Sequence, residues 1–335
     1  MPATKEEEAR SQGSEDRSPK TEVTFADIQR AADRIKPIAK RTPVMTSRSF
    51  DAASGVASFF KCENLQTGGA FKIRGASNFV FSIPQDKLPN GVVAFSSGNH
   101  AQAVAIAAQY VGIPATIVMP NDAPKAKLEA TRARGAQIVT IDRIKDDRDA
   151  IGRRIADETG ASLIPPYDHP WTMAGAGTTA LELLADVSDL DALVVPVGGG
   201  GLISGCAIAA KHLKPSIRVF GAEPEMANDT FLSMAAGKRV RIGPPQTIAD
   251  GLMSMTPGEL TFPIVQKHVE QILTVSEDEI REAVKFILLR LKILVEPSGA
   301  VSAAAVLFKK LPPGIGKVGI VLSGGNVDFD RLAGF

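Results

Sequence analysis

Short apolar runs alternate with alanine-rich stretches of helical pattern through the middle of the chain. Gly91-Val-Val-Ala-Phe95 precedes Ala101-Gln-Ala-Val-Ala-Ile-Ala-Ala-Gln-Tyr110. Ala115-Thr-Ile-Val-Met119 precedes Lys125 to Arg134, and Gln137-Ile-Val-Thr-Ile141 precedes a charged helix around Asp146 to Glu158. Later, Ala192-Leu-Val-Val-Pro-Val197 runs straight into Gly198-Gly-Gly-Gly201 and a helix-like stretch, and Val318-Gly-Ile-Val-Leu322 ends at Ser323. Apolar runs of this length, bounded by Gly or Pro and each followed by a helical period, predict βαβ units and parallel sheets. Binding sites in such sheets gather at the carboxyl ends of the strands. Both Ser96-Ser-Gly-Asn-His100 and the tetraglycine loop stand directly after strand-like runs, which is where that rule puts a site.

Composition narrows the class without naming a chemistry. With 335 residues, 44% hydrophobic and 22% charged, the chain suits one large or two moderate globular domains. Its net charge of +1, from 38 basic and 37 acidic residues, gives no pull toward nucleic acid or a membrane surface. No stretch approaches the ~20 uninterrupted apolar residues of a membrane-crossing helix. Residues 1–22 are charged and lack an apolar core, so they read as a disordered tail and not a signal peptide. Cys62 and Cys206, the only cysteines, sit among small or apolar neighbours, which suggests buried free thiols and a cytoplasmic address. Four histidines are scattered without metal-ligand spacing.

Chemistry enters at Lys72, in Gln66-Thr-Gly-Gly-Ala-Phe-Lys72-Ile-Arg-Gly75. A lysine between small and apolar residues is poorly placed as a solvated charge. Partial burial lowers an amine's pKa and makes it a nucleophile toward aldehydes. The tetraglycine loop offers backbone N–H groups at the start of a helix, where a phosphate can sit without interference from side chains. An aldehyde-seeking lysine with a phosphate cradle suggests pyridoxal phosphate. A dinucleotide-binding domain is the competing reading, because Gly198 to Gly205 also carries glycines at usable spacing.

Five motifs occur in one order: Phe71-Lys72-Ile-Arg-Gly75, Ser96-Ser-Gly-Asn-His100, Val197-Gly-Gly-Gly-Gly201, Glu296-Pro-Ser-Gly299 and Ser323-Gly-Gly-Asn326. Together they resemble the fold-type II pyridoxal-phosphate enzymes of the threonine/serine dehydratase and serine racemase family, from about Phe25 to Asp330. The resemblance implies an α/β fold of two open twisted domains with mainly parallel sheets, of the tryptophan synthase β kind. The expected division is a tail over 1–22, a large cofactor-binding domain over 23–90 plus 169–335, and a small inserted domain over 91–168.

The resemblance also implies roles. Lys72 is the Schiff-base lysine and the base for the Cα proton, and Phe71 abuts the cofactor ring. Gly198, Gly199, Gly200 and Gly201 hold the phosphate, Asn99 bonds the phenolic oxygen and Ser323 bonds the pyridine nitrogen. A hydroxyl at that last position does not force the ring to be protonated, which favours loss of a β-substituent over a long-lived carbanion. Ser96, Ser97, Gly98, Asn99 and His100 form the substrate-carboxylate loop. Ser97 faces the ring opposite the lysine, where a proton donor permits racemisation. Arg148 matches a family arginine that helps bind an acidic substrate group; a solvated helix charge is an equally open reading. Glu223, Ala227 and Asp229 match a Mg²⁺ or Ca²⁺ site, and an acidic surface turn is the alternative.

Two departures stand out. Ala174-Gly-Ala-Gly-Thr178 replaces the family's Ala-Gly-Gln-Gly-Thr, and the only tryptophan, Trp171, lies just before it. Ala176 is therefore expected to reshape the pocket toward a bulkier β-substituent. The chain also resembles the short family form, without the amino-acid-sensing module of the biosynthetic threonine dehydratases. The expected activity is dehydration and deamination of β-hydroxy-α-amino acids such as L-serine, L-threonine, 3-hydroxyaspartate or phenylserine. Serine racemisation and cofactor binding without catalysis remain the alternatives. A homodimer is expected, with neither nucleic acid nor membrane as partner.

Overall fold

A computed structural model describes residues 22–328 other than 124, 143 and 144, together with 330, 332 and 334. The expected tail thus lies, but for Glu22, outside the described residues. Ten strands are found among the described residues: β1 (Val44–Thr46), β2 (Ala57–Cys62), β3 (Val92–Phe95), β4 (Ala115–Pro120), β5 (Gln137–Ile141), β6 (Ser162–Leu163), β7 (Ala192–Pro196), β8 (Arg218–Pro224), β9 (Gln271–Val275) and β10 (Lys317–Leu322). The α-helices are α1 (Phe25–Ile35), α2 (Arg48–Ser54), α3 (Lys72–Val80), α4 (Asn99–Val111), α5 (Lys125–Arg132), α6 (Arg148–Thr159), α7 (Pro170–Asp186), α8 (Gly201–Leu213), α9 (Asp229–Ala236), α10 (Thr261–His268), α11 (Glu277–Phe286) and α12 (Pro297–Leu307).

The strands form two sheets. One has six strands in the order β1-β2-β10-β7-β8-β9, parallel except for the β1–β2 pair; the other has four, β5-β4-β3-β6, all parallel. The fold is α/β with mainly parallel sheets, as the alternation of runs predicts. Every residue of β7 is buried, the signature of a parallel strand covered on both faces. Its side chains alternate between two cores: Ala192 and Val194 join Val318 and Ile320 on one side, while Leu193 and Val195 join Val321 on the other. A third core packs Val92, Ala94, Ile117 and Met119 against the alanine face of α4 and against Ile73, Ala76 and Val80 of α3.

Helix α3 therefore belongs to the core of the smaller sheet, while the residues just before it bond to the loop after β10 of the larger one. It is drawn close to α7: a Cβ on Gly75 would come within 2.8 Å of the Thr172 carbonyl oxygen. Helices α7 and α8 meet backbone to backbone, with a Cβ on Gly177 only 2.7 Å from the Gly205 carbonyl oxygen. Among the described residues no helix is long and apolar enough to cross a membrane. Cys62 and Cys206 are buried and unpaired, and burial pushes both thiols up to about 12.

Candidate active site

Loops at the carboxyl ends of β3, β7 and β10 carry three of the sequence motifs, and the segment leading into α3 is pinned against the last of them. The Phe71 N–H donates to the Ser323 carbonyl at 3.0 Å, Gly325 N–H donates to Gly69 O at 2.8 Å, and Ala70 bridges Gly324. Lys72 follows as the first residue of α3, and its ammonium donates to the Pro166 carbonyl at 2.7 Å. Burial lowers the Lys72 pKa to about 8, against the opposing pull of the Glu296 carboxylate. The nucleophilic free amine accordingly accumulates as pH rises through about 8 instead of through 10.5. The rate at which apoprotein captures pyridoxal phosphate should climb with pH and level off just above 8. A stopped-flow pH series checks this; a rate still rising at pH 10 would contradict the lowered value.

Three of the four tetraglycine positions, Gly199, Gly200 and Gly201, are closed to a side chain by protein neighbours. The Tyr167 ring lies on Gly199, and the Tyr167 backbone comes within 2.9 Å of where a Cβ on Gly201 would stand. Gly200, at φ +93, faces Thr261, and Gly198 faces Leu252 and Ser254. Asp168 accepts hydrogen bonds from the N–H groups of Glu259, Leu260 and Thr261, and the Thr261 hydroxyl donates to Gly199 O at 2.7 Å. The Tyr167–Asp168 pair thus clamps the loop onto its support. The loop's backbone leads directly into the N-terminus of α8, where N–H groups suit an anion.

The Ser96–His100 segment divides. Ser96 N–H continues the β3–β4 ladder to Val118 O at 3.1 Å, and Gly98 N–H donates to the Ser96 hydroxyl at 3.1 Å. Among the described residues the Ser97 hydroxyl has no protein hydrogen bond. Half-buried Asn99 donates to Glu296 Oε1 at 2.7 Å and accepts from Asn326 Nδ2 at 2.9 Å. The His100 ring turns into the core instead, with Nε2 3.0 Å from Ile164 O. Burial, and then the Lys72 charge, lower its pKa to about 3, so the ring is neutral. Arg148 is exposed at the start of α6, its guanidinium 5.7 Å from the centroid of Phe95, the residue just before Ser96.

Glu223 and Asp229 lie together at the end of β8. Glu223 accepts from the N–H groups of Thr230 at 3.2 Å and Phe231 at 2.9 Å, while both Asp229 carboxylate oxygens are buried without a hydrogen-bond partner. Burial raises the Glu223 pKa well above the usual carboxylate range, Asp229 adding to it, and burial pushes Asp229 up to about 7. An orphaned Asp229 carboxylate beside the buried Glu223 carboxyl is what a bound cation would relieve. Among the described residues no group of three or more His, Cys, Asp and Glu side chains is placed to hold a metal. A site here would therefore depend on the two carboxylates, the carbonyl of buried Ala227 and water.

One expectation is corrected. Ala176 is 2% exposed in an apolar cluster with Ile28, Ala31 and Cys206, so its placement assigns it to core packing and gives no support for a reshaped pocket. Trp171 packs edge-on against Phe79 and His169.

A profile of the family described as pyridoxal-phosphate dependent enzyme matches residues 35–324. The chain belongs to that family. An L-threo-3-hydroxyaspartate ammonia-lyase of Saccharomyces cerevisiae is 50% identical over 310 residues, 92% of this chain and 95% of that protein. A serine racemase of Schizosaccharomyces pombe is 47% identical over 93% of this chain and 97% of its own length. Among solved structures, maize serine racemase matches with a TM-score of 0.90 at 46% identity, covering 93% of this chain and 96% of that one.

The residues fit this family's cofactor. A half-buried amine with a lowered pKa suits its aldehyde, a glycine loop leading into a helix N-terminus suits its phosphate, and an oriented amide with the 4%-exposed Ser323 suits its ring substituents. Sequence reasoning assigned no role to Glu296, Asn326, Tyr167 or Asp168. Glu296 and Asn326 were visible only as letters inside motifs.

Proposed function

We propose that this pyridoxal-phosphate enzyme is an ammonia-lyase acting on small β-hydroxy-α-amino acids, with L-threo-3-hydroxyaspartate, L-serine and L-threonine as the substrates to try first. The observation that carries the reading is Lys72: a half-buried amine whose pKa is lowered to about 8, parked on a backbone carbonyl where the strand-end loops meet. The names of the relatives supply the substrate class.

In this reading Lys72 binds the cofactor's aldehyde carbon, Gly198 to Gly201 its phosphate, Asn99 its phenolic oxygen and Ser323 its ring nitrogen, with Phe71 against the ring. Bound pyridoxal phosphate supplies the electron-withdrawing system that acidifies the substrate's Cα–H. Backbone N–H groups and hydroxyls of Ser96 to Asn99 receive the substrate carboxylate. Arg148, held near that loop by Phe95, receives a second carboxylate where the substrate has one. Freed when the substrate's amino group replaces it at the aldehyde carbon, Lys72 Nζ takes the Cα proton, and the β-hydroxyl takes up a proton and leaves as water. The released enamine is hydrolysed in solution to a 2-oxo acid and ammonia. The inward His100 ring supports the loop from behind and is not a substrate contact in this reading.

Racemisation of serine is the second reading, supported by the unengaged Ser97 hydroxyl and by the serine racemases among the relatives. One experiment separates the two: 2-oxo acid release and chirality are followed together on L-threo-3-hydroxyaspartate, L- and D-serine and L-threonine. Fast 2-oxo acid without enantiomer exchange supports the lyase. Exchange outrunning elimination supports the racemase, and neither with any substrate sinks both.

We further propose that Glu223, Asp229 and the Ala227 carbonyl bind Mg²⁺ or Ca²⁺ in a structural or activating role. Chelator-stripped protein should melt at a lower temperature and recover when either ion is added; saturation at about 100 times Kd corresponds to about 2.7 kcal/mol. Asp229→Asn should abolish the response, and an unchanged response would remove the site. Function as two domains, 91–168 set within 23–90 plus 169–335, is part of the same proposal. The all-parallel sheet of β3 to β6 supports it, since its strands lie between residues 92 and 163. So are a homodimer, from family resemblance, and a cytoplasmic location, which the unpaired buried thiols favour.

A further inference from the structure

The side-chain amide of Asn99 is oriented from both ends, by a carboxylate that accepts and an amide nitrogen that donates. At one end its Nδ2 faces Glu296 Oε1 at 2.7 Å. At the other, Asn326 Nδ2 donates to the Gly68 carbonyl at 2.7 Å and to Asn99 Oδ1 at 2.9 Å. A carbonyl and a carboxylate accept only, so the donors run one way, from Asn326 through Asn99 to Glu296. Flipping the Asn99 amide would set oxygen against the carboxylate and nitrogen against nitrogen. One Asn99 N–H is left over with its direction fixed.

The surrounding glycines are cut to this arrangement. A Cβ on Gly69, which has φ +74, would collide with the Asn326 amide, and a Cβ on Gly324 would collide with the Glu296 carboxylate. Three motifs that stand apart in the sequence thus build one short chain of hydrogen bonds.

We propose that Glu296 and Asn326 are positioning residues, which together fix the Asn99 amide so that its remaining N–H meets the phenolic oxygen of bound pyridoxal phosphate. This rests on the assignment of Asn99 to that oxygen made above. Neither residue needs to touch the cofactor; each acts by denying Asn99 its other orientation.

The test is a double-mutant cycle on purified protein, read by titrating apoprotein with pyridoxal phosphate and recording the visible band of the bound cofactor. Circular dichroism confirms folding. Asn99→Ala should weaken cofactor binding about tenfold, the scale of one lost hydrogen bond to a charged group, and shift the band. Asn326→Ala should shift the band the same way and weaken binding by several-fold. The double variant should match Asn99→Ala within about twofold, because a positioning residue has nothing left to position. Glu296→Ala should resemble Asn326→Ala, and Glu296→Gln, whose amide oxygen still accepts from Asn99, should restore most of the affinity. This second pair decides the matter if Asn326→Ala does not fold. Multiplying single effects in the double variant, or an unmoved band in Asn326→Ala and Glu296→Ala, would overturn the inference. An unmoved Asn99→Ala would overturn the assignment of Asn99 itself.

Discussion

Lys72→Ala should abolish catalysis, with release of 2-oxo acid falling on the order of 10⁴-fold or more, because it removes both the group that anchors the aldehyde and the base for the Cα proton. The loss should not be a loss of fold. The Lys72 pKa is lowered from 10.5 to about 8, so the folded protein disfavours the ammonium relative to the unfolded chain. The sign follows: below about pH 8 the charged lysine costs stability, and the cost fades as pH rises from about 8 past 10.5. At pH 7 the alanine variant of the apoprotein should therefore unfold no more easily than wild type, provided the shortened side chain leaves no large void. Borohydride reduction of wild-type holoenzyme should attach the cofactor to the peptide containing Lys72, and the variant should yield no such peptide. Full ammonia release by the variant, or a label on another lysine, would move the chemistry away from this residue.

How much of this was legible beforehand depended on whether a feature is local. Strands β3, β4, β5, β7 and β10 were read to within about a residue, because each is a short run rich in apolar and β-branched residues that is followed by a helical pattern or a glycine-rich motif. Strand β2 was missed because Lys61 interrupts its apolar pattern; that lysine is nonetheless fully buried, donating to Glu182 at 2.6 Å and to the Thr42 carbonyl at 2.7 Å. Strand β8 contains Gly221 and Glu223, and β6 has only two residues, so neither announces itself. The same limit governs the site. Lys72 and the tetraglycine loop carry their chemistry in their immediate neighbours. The importance of Glu296 lies in an amide 197 positions away, and no spacing rule reports that. Ala176 erred in the other direction: a motif departure suggested a pocket, whereas the residue faces apolar core.

Arg74→Ala should be the most destabilising single substitution discussed, costing about 3–5 kcal/mol of unfolding free energy, the range for removing one partner from a buried ion pair. Arg74 is wholly buried two residues beyond Lys72. Its guanidinium holds Glu63 through two bonds at 2.7 and 2.8 Å, holds Glu182 through two at 2.8 Å, and reaches the Thr178 hydroxyl at 3.0 Å. Glu63 also accepts from Thr42 at 2.5 Å, and its carboxyl is held below the ordinary value, Arg74 overcoming the cost of burial. Arg74 and Lys61 balance Glu63 and Glu182, so removing Arg74 leaves two carboxylates to one ammonium with Glu63 sealed from water. Arg74→Lys should recover little, because a point charge cannot grip two carboxylates in parallel pairs. Adding Glu63→Gln to Arg74→Ala should recover part of the loss by removing the stranded charge. The cluster ties α3 to β2 and α7, so the same variants should loosen the segment bearing Lys72 and release cofactor sooner on dilution. Urea unfolding of the apoproteins measures the first effect and loss of the visible band the second. A cost below about 1 kcal/mol for Arg74→Ala would mean that water reaches Glu63 readily, and that the cluster is not what holds the lysine helix in place.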